Sequence, residues 1–287
     1  MNDYIHLVNR LERLFDRVEK LIPGKEETVD WRAHAFRWSK PGVLKPVYHP
    51  HLCQLDDLLN IASQKALLEQ NTRQFVHRLP ANNALLWGSK GTGKSSLIKA
   101  MLGAFAGQGL RLIEVDKDHL ADLPDIVESL YARAERFILF TDDLSFESND
   151  PSYKALKAML DGSIVATPDN VLIYATSNRR HLMPETMQEN LETRHIHGEI
   201  HEGEAMEEKI SLSERFGLWL SFYAFSQEDY LNIVHHWLHR LGVKRLDTAT
   251  IRTEALRWAL ARGSHSGRIA QQFARNLAGK SALAAKI

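Results

Sequence analysis

The sequence predicts an α/β fold: a parallel sheet with helices on both faces, an N-terminal helical extension and a C-terminal helical lid. Three observations predict it. Short apolar, β-rich runs alternate with helix-like stretches through the middle of the chain, the signature of strand–helix–strand crossovers. A glycine-rich turn, GSKGTGKS, joins one of those runs to a helix. Beyond about residue 226 the apolar spacing turns wholly helical.

Taken in order, Ile5, Val8, Leu11, Phe15, Val18 and Leu21 recur at spacings of three and four. They form one face of an amphipathic helix, stopped by Pro23-Gly24 and expected to dock on the body of the protein. Residues 23–56 are mixed in character, with three prolines after position 40, and read as an irregular arm. A helical pattern resumes in LDDLLNIASQKALLEQNTRQFVHRL. Strand-like runs follow at 84–87, 111–115, 137–141, 171–175 and 218–222, with helical segments at 94–105, 121–134 and 151–161. Three further helical stretches, SQEDYLNIVHHWLHRLG, DTATIRTEALRWALARG and SGRIAQQFARNLAGKSALAAK, build the lid. The expected division is an N-terminal helix and arm at 1–49, an α/β core at 50–225 and the lid at 226–287. The polar stretch 183–210 reads as an exposed insertion.

Composition narrows the function. The 287 residues are 44% hydrophobic and 25% charged, with 36 basic and 36 acidic side chains. That balance argues against a globally basic nucleic-acid binder. The single cysteine, Cys53, excludes an internal disulfide framework and suits a reducing compartment. No apolar run approaches the ~18 residues of a membrane span, so a cytoplasmic protein without a membrane partner is expected. Fourteen histidines invite a metal, and His235 and His239 lie four apart. No cysteine or acidic set completes a zinc site at ligand spacing, so these histidines read as structural or surface residues.

The chemistry sits in three strand-end motifs. Gly88, Ser89, Lys90, Gly91, Thr92, Gly93, Lys94 and Ser95 match G-x-x-x-x-G-K-[ST] between a strand and a helix, with Ser96 next. Glycine lets backbone amides approach an anion closely, and the helix start adds partial positive charge. Lys94 would neutralise phosphate oxygens, and the Ser95 hydroxyl would ligate Mg²⁺. RFILFTDDLSFE is a strand ending in Asp142 and Asp143, on the ligand side of an open α/β sheet. Asp142 would hold Mg²⁺ through water, and Asp143 would orient or deprotonate the attacking water. VLIYATSNRRHL ends a further strand in Thr176-Ser177-Asn178, where Asn178 would reach the γ-phosphate or that water.

In this order the motifs resemble the AAA+ class of P-loop ATPases over about residues 50–287. NNALLWGSKGTGKSS looks like its Walker A, ILFTDD like Walker B and YATSN like sensor 1. PANN, DDLSFE, YATSNRRHL and EKISLSERFGLWL resemble, more closely, one bacterial family of predicted AAA+ ATPases designated a domain of unknown function. The resemblance implies a five-stranded sheet of order 5-1-4-3-2, with nucleotide between core and lid and adenine packed near Leu58 to Ile61. It implies Arg215, in SLSERFG, as an arginine finger acting in a neighbouring copy, hence a homo-oligomer. Arg179 and Arg180 compete for that role. Arg268, in GSHSGRIAQ, would be sensor 2, reaching phosphate of its own chain.

Two departures matter. The second Walker B acid, usually Glu, is here Asp143, one methylene shorter, with Glu147 a substitute nearby. The region EVDKDHLADLPDIV lacks the aromatic pore loop of protein-threading members, and its acidity disfavours gripping nucleic acid. The expected function is Mg²⁺-dependent ATP hydrolysis to ADP and phosphate, driving a conformational change on an unidentified macromolecular partner. The alternatives are a slow-hydrolysing ATP-dependent switch and a nucleic-acid remodeller resembling helicase loaders.

Overall fold

A computed structural model of the chain describes residues 29–39, 42–146, 151–161, 168–180, 182, 194–196, 199–201, 212–243 and 247–284. Its centre is a seven-stranded sheet of β1 (Ala35–Ser39), β2 (Val43–Val47), β3 (Ala84–Gly88), β4 (Leu110–Glu114), β5 (Arg136–Thr141), β6 (Val171–Ser177) and β9 (Leu218–Phe222). The spatial order is β2-β1-β4-β5-β6-β3-β9. Every pairing is parallel except the β1–β2 hairpin. Read from the edge strand β9 to β4, five consecutive parallel strands have the expected order 5-1-4-3-2.

The strands are nearly continuous in apolar residues because helices cover both faces. Leu86, Ile138, Phe140 and Tyr174 pack toward α1 (Ala62–Val76) and α2 (Lys94–Phe105). Their sequence neighbours Leu85, Phe137, Leu139 and Ile173 point the other way, toward α3 (Leu123–Leu130) and α4 (Pro151–Asp161). This side-to-side alternation along each strand follows from the two-residue period of β structure. On the first face, Asn71 Nδ2 and Thr72 Oγ1 lie 3.0 Å from the buried Tyr174 hydroxyl. Burial pushes that phenol's pKa up to about 12, so it stays a neutral hydrogen-bonding group.

The lid consists of α5 (Gln227–Arg240), α6 (Thr248–Leu260) and α7 (Gly267–Ala284). Ser226 and Asp229 form a reciprocal capping box that starts α5. Tyr230, Val234, Leu238, Ala255 and Phe273 join the same core cluster as α1 and α2, so the lid packs on the face that carries the P-loop helix. Among the described residues no helix is long and apolar enough to cross a membrane.

The structure corrects several local expectations. The arm expected to be irregular contributes β1 and β2, which extend the sheet beyond β4. Phe36 is 1% exposed there, and Trp38 Nε1 donates to Asp122 Oδ2 at 2.8 Å. The prolines had masked a five-residue strand, yet Pro46 sits on the outermost strand, where a missing N–H is tolerated. The helical pattern over LDDLLN and beyond is broken: a 3₁₀ turn at Leu55–Asp57 precedes α1, and residues 58–61 between them are non-helical, with Asn60 at φ 60°. The helix expected at 121–134 is the shorter α3, entered through a 3₁₀ stretch at Lys117–Asp122. Within 183–210, β7 (Arg194–Ile196) and β8 (Glu199–His201) pair antiparallel. The remainder of that stretch, the helix expected at the N-terminus and Glu147 lie outside the described residues.

Candidate functional site

The phosphate-cradle sequence folds as its glycines require. Gly88, Gly91 and Gly93 all have positive φ, at 126°, 71° and 102°, where a side chain would be strained. A Cβ on Gly88 would lie 2.0 Å from Phe222 O. That close approach lets Ser89 N donate to Phe222 O at 2.8 Å and ties the loop to β9. Thr92, 3% exposed, donates to Ser89 O and braces the loop from within. Gly93 caps α2 without a side-chain acceptor, so the first amides of that helix are left for a ligand.

Lys94 lies under the loop. Its Nζ donates to Gly88 O and Ser89 O, both at 2.8 Å, and to Asn178 Oδ1 at 3.1 Å. All three ammonium hydrogens are thereby used. Burial pushes its pKa below the usual lysine range, while Asp142 and Asp143 pull it back up.

The ends of β5 and β6 complete the cluster. Ser95 Oγ donates to Asp142 Oδ1 at 2.5 Å, and Thr176 Oγ1 donates to the same carboxylate oxygen. Thr176 also accepts from Asp143 N at 2.9 Å, which fixes the turn after β5, where Asp143 adopts φ 52°. Asn178 Nδ2 donates to Asp143 Oδ1. Asn178 therefore bridges Lys94 and Asp143. Thr176 is the organising residue that sequence reading passed over, since threonine in a buried strand normally signals β propensity alone.

A cavity of about 650 Å³ opens over this cluster, bounded by the loop, both aspartates and the lid. Its lid wall includes Arg268, Gln271 and Arg275 from α7. Gly267 N donates to Gly91 O at 2.9 Å, so the start of α7 touches the glycine-rich loop directly. A more apolar part of the lining comes from Leu58, Leu59 and Ile61 before α1 and from Ile233 and Trp237 of α5; Leu58 and Ile61 lie beside Gly93 of the loop. Ile233 and Trp237 went unrecognised because a helical sequence does not say which of its apolar residues meets another domain. Arg268 lines the cavity. Arg215 does not line it; it pairs with Asp161 at the end of α4. Arg180 lies over the Trp87 ring at 5.7 Å. Among the described residues no group of three or more His, Cys, Asp or Glu side chains could hold a metal.

The strand order, the glycine-rich loop opening α2 and the lid docked against it define the class: this is the AAA+ type of P-loop nucleoside-triphosphatase fold. The chain belongs to the family described as Protein of unknown function (DUF815), whose profile matches residues 31–281. Among solved structures, the Thermotoga maritima RuvB Holliday junction branch migration motor is similar with a TM-score of 0.52 and 16% identity, over 77% of this chain and 63% of that one. A single-residue variant of the same motor gives 0.54 at 16% identity, with the same coverage. The match thus spans less than two thirds of the RuvB chain, and at that identity the likeness is one of fold. No curated protein matches the sequence.

Proposed function

We propose that the protein binds ATP with Mg²⁺ and hydrolyses it to ADP and phosphate, using the cycle to change conformation against a macromolecular partner. The observation that carries this reading is the convergence of Lys94, Ser95, Asp142, Asp143 and Asn178 at one cavity through a connected set of hydrogen bonds. The donor set suits magnesium: a hydroxyl and a carboxylate in contact are hard oxygen ligands, and Mg²⁺ needs only one or two protein ligands when phosphates supply others. Ser95 and Asp142 would hold it, and when bound it would neutralise charge on the phosphate oxygens.

The chain's own groups divide the remaining work. The amides from Lys90 to Ser96 would face the phosphates, and Lys94 would exchange a loop carbonyl for a phosphate oxygen. Asp143 accepts the proton of the attacking water, and Asn178 holds that carboxylate in place. Arg268 approaches phosphate from the lid. Arg215 lies outside its own chain's cavity, so a finger role needs a second copy and release from Asp161. Lys94→Ala is expected to weaken ATP binding at least about 30-fold, the equivalent of roughly 2 kcal/mol for a desolvated charge contact. Calorimetric titration that finds wild type and variant equal would overturn the reading.

A slow ATP-dependent switch is the second reading. Asp143 is short, and its carboxylate is already engaged by Asn178. Steady-state turnover decides between them: a rate insensitive to Asp143→Asn favours the switch.

A further inference from the structure

The cavity has two separate attachments between core and lid. At the phosphate end, Gly267 N of α7 bonds Gly91 O. Beside the apolar lining the attachment is a charge cluster. Asp57, at the close of the 3₁₀ turn before Leu58, has a carboxylate only 10% exposed. It meets His236 Nε2 at 2.9 Å and Arg240 Nε at 3.2 Å on one oxygen, and Arg240 Nη2 at 3.2 Å on the other. His236 and Arg240 are one turn apart on α5, 179 and 183 residues from Asp57 in sequence. Trp237, between them, lines the cavity, and its ring lies 5.6 Å from that of His236.

A second contact holds the other end of α5. Asn60 Nδ2 donates to Asp229 O at 3.1 Å, from a residue at φ 60°, a conformation asparagine tolerates better than most. The four residues 57–60 therefore grip α5 near both of its ends. Between the grips lie Leu58 and Leu59 on one wall and Ile233 and Trp237 on the other. A carboxylate this buried is costly to leave unpaired, so any swing of α5 away from residues 57–60 has to break these contacts.

We propose that Asp57, His236 and Arg240 form a latch that sets the width of the nucleobase slot. Asp57 borders the cavity, but both of its carboxylate oxygens are engaged by His236 and Arg240, so it is a positioning residue that acts through α5 on Trp237. The proposal rests on the nucleotide reading above and adds a division of labour. The phosphate end keeps its own attachment, so the latch governs affinity for the nucleoside and not for bare polyphosphate. If latch loss leaves the closed slot a tenth populated, apparent affinity falls about tenfold.

The test titrates ATP and inorganic tripolyphosphate, each with Mg²⁺, into wild type, Asp57→Asn and Arg240→Gln. Circular dichroism checks folding, and Arg240, 46% exposed, provides the variant least able to disturb the core. The expected result is a loss of about tenfold for ATP in both variants, with tripolyphosphate within about twofold of wild type. The Trp237 fluorescence response to ATP, defined by subtraction of Trp237→Phe, should shrink in parallel. Equal losses for both ligands, or no loss for either, would overturn the latch while leaving the nucleotide site intact. Wild type that binds neither ligand would instead overturn the nucleotide reading, and the latch with it.

Discussion

In the proposed reaction, Asp143 is the residue on which turnover depends. Its backbone is held at φ 52° by the Thr176 hydroxyl, and its carboxylate is held by Asn178. A base fixed from both sides can be pre-aligned for one water, which offsets a side chain one methylene short of glutamate. Replacing it with asparagine removes the proton acceptor and keeps the shape. Asp143→Asn should therefore retain ATP binding while turnover drops by about 10² or more, the usual contribution of a general base. Parallel binding and phosphate-release assays check this; a variant that turns over normally would remove Asp143 from the chemistry. The neighbouring Asp142 has a different environment, shared between Ser95 and Thr176 hydroxyls. Two adjacent acids of the same type thus have separate tasks set by their partners.

Among the elements, the β1–β2 hairpin shows how a strand can escape notice and still matter. Phe36 is 1% exposed and packs in the cluster with Ile113 and Phe137, while Arg37 on the alternate side is half-exposed. The hairpin covers the edge of β4 that would otherwise present unpaired backbone groups. Phe36→Ala is expected to cost about 3–5 kcal/mol, the range for emptying an aromatic from a core. Chemical denaturation measures it, and a change below about 1 kcal/mol would mean that the hairpin is ornamental to the core. Strands β3, β5 and β6, by contrast, were plain in the sequence because burial on both faces forces long apolar runs. α5 was equally plain in the helical spacing of SQEDYLNIVHHWLHRLG, and the structure adds the Ser226–Asp229 capping box that starts it.

At the scale of the whole molecule, the site is incomplete within one chain if an arginine is needed at the γ-phosphate beyond Arg268. Arg215 is the candidate, and it is engaged by Asp161 on its own chain. Were it to act on a neighbour, Arg215→Ala and Asp143→Asn would each be inactive alone. A mixture of the two would regain turnover, because some interfaces would join an intact base to an intact arginine. Recovery of about a quarter of wild-type activity is expected for random mixing of equal amounts, since such fingers contribute about 10³–10⁵ in rate. A mixture as inactive as its components would confine Arg215 to the pair with Asp161.

The strand order was only what the family resemblance implied, while the sequence by itself determined the alternation of strands and helices, the P-loop and the strand-end positions of Asp142, Asp143 and Asn178. Those features are written in short-range patterns: glycines at fixed intervals, apolar runs, and polar residues at their ends. Only the tertiary structure decided what closes the cavity. The Asp57 latch joins residues 179 and 183 positions apart, and Ile233 and Trp237 become a wall only because α5 lies against residues 57–60. The hairpin of the arm likewise needs β4 beside it to become a strand pair. Contacts of that range leave no local period in the chain, because their energy arises where two surfaces meet and neither surface encodes the other.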